Sequence, residues 1–130
     1  MESNHDVKTV DVIPGAVELV RDLRQLGRVI FVTAPCPLYR GWADDRLYWL
    51  KSHFSASPYD VTSIYDKTLF NGQVLIDDSS SNIDKWLDTN RPAIRVVQPW
   101  NQNGKGLVAN NFSEVLHWVS EVKYCDEFLD

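Results

Sequence analysis

Strands that alternate with helices predict an α/β domain of Rossmann type, with three layers and a mostly parallel sheet. Two observations carry this. Residues 28–33, 72–76 and 93–97 are apolar, β-rich runs, as in strands covered on both faces. Residues 14–27, 42–54 and 112–122 instead repeat apolar side chains every three or four positions, as in helices with one buried stripe.

In chain order, Pro14 suits a first helical position and Gly27 a stop. Between them Ala16, Leu19, Val20, Leu23 and Leu26 form the stripe. The 28–33 strand follows. Residues 34–41 hold two prolines and a glycine and read as a loop. Leu47, Leu50 and Phe54 line one side of the 42–54 helix. A short strand is expected at 63–65 and another at 72–76, which runs into Asp77-Asp78. Residues 79–87 read as a helical turn or short helix, 93–97 as a strand and 99–106 as a polar loop. The last helix covers 112–122, with Asn111 as its candidate cap.

The chain has 130 residues, 44% hydrophobic and 24% charged, with a net charge of −5. That length predicts one domain over 1–130, with residues 1–13 as an N-terminal segment. An acidic chain does not attract nucleic acid through its overall field, so a phosphate-bearing ligand needs a local site. No apolar run approaches the roughly 18 residues of a membrane span, and residues 1–6 are too polar for a signal peptide. Cys36 and Cys125 are far apart and lack metal-binding spacing. They read as free thiols in a reducing, cytoplasmic compartment. Three scattered histidines form no zinc signature.

In open parallel sheets, ligands bind beyond the carboxyl ends of the strands. Thr33 closes one strand, Lys67 follows another, and Asp77 and Asp78 close a third. Hydroxyl and ammonium donors suit phosphate oxygens. Adjacent carboxylates suit Mg²⁺. Taken singly, Thr33 also reads as a β-branched strand residue, Lys67 as an exposed lysine, and Asp77-Asp78 as a turn or helix cap. Their order across successive strand ends favours a phosphoryl-transfer site.

That order resembles the haloacid-dehalogenase superfamily of phosphatases. Phe31-Val-Thr33 is similar to its second motif, Asp66-Lys67-Thr68 to its third and Leu75-Ile-Asp-Asp78 to its fourth. Pro14-Gly15-Ala16, Thr33-Ala34-Pro35, the set Asp45, Arg46 and Trp49, and a final helix with Trp118 resemble the 5′(3′)-deoxyribonucleotidases more closely. The likeness covers about residues 14–122. It implies a Mg²⁺-dependent 5′-nucleotidase-like phosphatase acting on deoxyribonucleoside monophosphates or other phosphate monoesters. Thr33, Ala34, Lys67 and Arg46 would then bind phosphate, Thr33 and Lys67 would serve catalysis, and Asp77 and Asp78 would hold the metal.

The family opens with Asp-x-Asp, whose first aspartate is the nucleophile and whose second is the general acid and base. This sequence contains no Asp-x-Asp. Asp11-Val-Ile13 lacks the second acid and runs into Pro14. The small helical cap that follows the motif is missing too, and Ala34 stands where the family has serine. The core is therefore expected to be incomplete at its N-terminus. Residues 7–13 or a strand from a complementing polypeptide or a homodimer would fill the gap in the sheet, and catalysis would need the missing segment from a separate polypeptide or a longer parent gene. A non-catalytic nucleotide-binding or phosphate-binding regulatory protein is the competing reading. A receiver domain is a third, although its acidic pair comes first in the chain.

Overall fold

The computed structural model describes residues 12–34 and 40–129. The chain forms two compact units, Met1–Tyr65 and Asp66–Asp130. All strand ladders among the described residues are parallel, and α-helices join β1 to β2 and β3 to β4, as in a Rossmann-like α/β core.

In the first unit, helix α1 (Ala16–Leu26) leads to strand β1 (Phe31–Thr33), helix α2 (Trp42–Phe54), a 3-10 turn (Pro58–Asp60) and strand β2 (Val61–Ser63). Helix α1 starts two residues later than expected. Gly15, at φ 88°, occupies the left-handed region, which glycine enters without steric cost, so Pro14 and Gly15 form a turn ahead of the helix. The expected stripe is the buried one: Val20 and Leu23 are buried, and Ala16, Leu19 and Leu26 are partly so. Val20, Leu50, Phe54 and Ala56 form the core, and Phe31, Trp49 and Val61 pack against it.

Strand β2 lies at Val61–Ser63 rather than 63–65. Pairing decides this: Phe31 sits beside Val61 and Thr33 beside Ser63. Arg28 holds Asp60 at 2.6 Å, which anchors the chain just before β2. Tyr65 lies outside the ladder and is exposed. The strand expected over 7–13 falls mainly outside the described residues. Of its last two, Val12 packs against the core and Ile13 is exposed, and neither is in a strand.

The second unit holds a 3-10 turn (Lys67–Leu69), strand β3 (Leu75–Asp77), helix α3 (Ser80–Leu87), strands β4 (Ala93–Val96) and β5 (Leu107–Ala109), and helix α4 (Phe112–Leu129). The sheet order is β3-β4-β5. Leu75, Ile83, Trp86 and Ala93 are buried together, and the Trp86 indole donates to Pro92 O at 2.9 Å.

Strand β3 begins at Leu75, not residue 72. Arg91 Nη1 takes the carbonyls of Phe70 and Gly72, so that stretch bonds to a side chain instead of a ladder. Strand β5 was not expected. Its three residues are too few to show a periodicity, and the β4 pairing makes it a strand. Helix α4 continues beyond residue 122 because no glycine or proline interrupts residues 123–129.

Candidate active site

The carboxyl end of β3 gathers four hydrogen-bond donors on one carboxylate. Lys67 Nζ donates to Asp77 Oδ2 at 2.9 Å, and Asn82 Nδ2 donates to the same oxygen at 3.0 Å. The backbone N–H groups of Asp78 and Ser79 donate to Asp77 Oδ1 at 2.7 and 3.1 Å. An ionised carboxylate has about four acceptor positions, and these donors fill them. Burial alone would push the Asp77 carboxyl up. The Lys67 ammonium and the other donors outweigh it and hold the group below its ordinary value. Asp78 goes the other way: burial, then the charge of Asp77, pushes its carboxyl up.

Local sequence builds this arrangement. Asp66 Oδ1 accepts from the Thr68 N–H at 3.1 Å and the Thr68 hydroxyl at 2.6 Å, closing a turn typical of aspartate and presenting Lys67. Arg91 donates to the carbonyls of Thr68, Phe70 and Gly72. Its guanidinium lies 3.6 Å from the Trp86 ring centroid, which ties the Lys67 turn to the core. Ser79 caps α3, its hydroxyl accepting from the Asn82 N–H at 3.3 Å. That cap places Asn82 one helical turn on, within reach of Asp77.

The remaining expected residues lie in the first unit. The Thr33 hydroxyl donates to Thr62 O at 3.4 Å and lies 3.4 Å from Ser63 Oγ. Ala34 follows at the strand end and is exposed. Arg46 on α2 has its guanidinium 5.6 Å from the ring centroids of both Trp42 and Trp49. Its Nε is buried without a hydrogen-bond partner, and burial lowers the guanidinium pKa. The structure thus brings Lys67, Asp77 and Asp78 together in the second unit and places Thr33, Ala34 and Arg46 in the first.

Among the described residues, no three or more His, Cys, Asp or Glu side chains group to hold a metal. Mg²⁺ commonly takes one or two protein carboxylates and completes its shell with water and substrate phosphate. Asp77 and Asp78 supply two adjacent carboxylates, and the donors already on Asp77 leave it to meet an ion through water. A cation beside them would relieve the cost of the half-buried, like-charged pair.

Sequence reasoning missed Asn82, Arg91, Arg95 and Asn101. Asn82 had a readable signal, three residues beyond a serine cap. The other three act through backbone carbonyls outside their own elements, which no local pattern marks. No helix among the described residues is long and apolar enough to cross a membrane. The model of the family described as 5′ nucleotidase, deoxy (pyrimidine), cytosolic type C protein matches residues 5–123. No curated protein matches the chain.

Proposed function

Since the chain belongs to this haloacid-dehalogenase-like 5′-nucleotidase family, we propose that it is a phosphatase module for deoxyribonucleoside monophosphates that works with Mg²⁺ in the cytoplasm. The observation that carries this reading is the Lys67 ammonium seated on Asp77 at the end of a parallel strand, with Asp78 beside it.

In this reading Lys67 neutralises charge on the phosphoryl oxygens, and Asp77 fixes the direction of its ammonium. The Thr33 hydroxyl and the Ala34 backbone N–H donate to the phosphate, and Arg46 adds a further phosphate contact. Asp77 and Asp78 hold Mg²⁺ directly or through water. When bound, the ion neutralises phosphate charge as the leaving group departs. Residues 1–130 contain no Asp-x-Asp, so in this reading the nucleophile comes from outside them. Turnover therefore depends on a segment that carries one, from a complementing polypeptide or a longer parent gene, whereas a second copy of this chain would complete only the sheet.

The purified chain alone should show negligible hydrolysis of deoxyribonucleoside monophosphates or an aryl phosphate in Mg²⁺. Turnover on the order of 1–10³ per second would contradict this. Titration with a deoxyribonucleoside monophosphate and Mg²⁺ should shift the backbone amides of Thr33, Ala34, Lys67, Asp77 and Asp78. Shifts confined to other residues would refute the proposed site. The same absence of Asp-x-Asp favours the second reading, a non-catalytic phosphate-binding protein. Restored turnover on adding a polypeptide with that motif would exclude it.

A further inference from the structure

The turn that carries Asp78 is gripped from a side the acidic motif does not reveal. Asn101 is 2% exposed, in the loop between β4 and β5. Its Nδ2 donates to Asp78 O at 2.7 Å and to Val96 O at 2.9 Å, and its Oδ1 accepts from the Gln98 N–H at 2.6 Å. Both amide donors are therefore used. The peptide between Asp78 and Ser79 is held at both ends: its carbonyl by Asn101, its N–H by Asp77 Oδ1 at 3.1 Å.

Arg95 holds Asn101 in turn. It is 2% exposed and pairs with Asp77 across the β3-β4 ladder. Its guanidinium donates to the carbonyls of Asn101, Gly104 and Lys105. The loop folds over a buried cation, and that fold brings the Asn101 amide to Asp78.

We propose that Asn101 is a positioning residue for the metal-binding turn, with Arg95 as its support. By fixing the 78–79 peptide plane, Asn101 sets the direction in which the Asp78 carboxylate leaves the backbone. The proposal rests on the reading that Asp77 and Asp78 hold Mg²⁺.

The experiment is a Mg²⁺ titration followed through the Asp77 and Asp78 amide resonances. In Asn101→Leu, of similar size but without the amide, the dissociation constant should rise about tenfold, as when groups that orient metal ligands are removed. Amides of α4 should stay put. Trp100→Ala, which removes an exposed neighbour in the same loop, should bind as the wild type does. A folded Asn101→Leu with wild-type affinity overturns the proposal, and so does equal weakening in Trp100→Ala. If Asn101→Leu does not fold, the wild type decides. Its Asn101 side-chain amide should shift along the same binding curve as the Asp78 amide, and an Asn101 signal that stays still overturns the proposal. If no Mg²⁺ shift occurs at Asp77 or Asp78 in the wild type, the metal reading fails and takes this proposal with it. Shifts there without a role for Asn101 remove the proposal alone.

Discussion

The ends of β1 and β3 occupy equivalent places, each the carboxyl end of a parallel strand, yet they are built differently. At β3 the last residue, Asp77, is a carboxylate whose acceptor positions are filled by Lys67, Asn82 and two backbone N–H groups. At β1 the last residue, Thr33, makes two long hydroxyl contacts to the neighbouring strand. A charged end must be satisfied when it is buried, because an unpaired buried charge costs far more than an unpaired hydroxyl. The β3 end is therefore rigidly specified, and the β1 end is held mainly by its ladder.

The largest expected effect comes from Asp77→Ala. It strips Lys67 of its partner in a pair whose side chains are only 16% and 9% exposed. Loss of one member of such a pair destabilises by about 3–5 kcal/mol, measurable by urea denaturation. A loss below about 1 kcal/mol would mean that the two strand ends do not differ in this way.

Arg91→Ala should cost less, about 1–3 kcal/mol. It releases the carbonyls of Thr68, Phe70 and Gly72 and uncovers Trp86. Amide exchange should quicken around Lys67 while α1 stays protected. Unchanged exchange there would show that the turn holds without Arg91.

Thr33→Val keeps the side-chain shape and removes only the long hydroxyl contacts. It should cost about 0.5 kcal/mol, the low end for a hydrogen bond, by the same denaturation measurement. A cost above about 2 kcal/mol, more than a typical hydrogen bond contributes, would give the β1 end a polar anchor like that of β3. Of similar size is Arg28→Ala, which breaks an ion pair whose arginine side chain is 67% exposed. It should cost about 0.2–1 kcal/mol, and less in high salt because exposed pairs are screened. A salt-independent loss would show that Arg28 acts through packing.

Much of this was legible in the chain itself. The α1 stripe, the buried side of α2 and the Ser79 turn into a helix follow from local periodicity and turn chemistry, and the expectation that Lys67 stands near Asp77 and Asp78 follows from the strand-end rule. The displaced strand at Val61–Ser63, the late start of β3 and the existence of β5 do not. Each of these three was decided by a partner elsewhere: β1 for the first, Arg91 for the second and β4 for the third.

Arg95 and Asn101 mark the boundary most clearly. By residue type alone, arginine and asparagine are mostly exposed. In the folded unit both are buried, because loop carbonyls and the Asp78 peptide supply what water would have supplied. Periodicity and turn chemistry are local, so the chain alone decides which segments are helical and where its acids and bases stand along it. Register and the burial of a polar group depend on partners distant in sequence, so only the tertiary structure decides them.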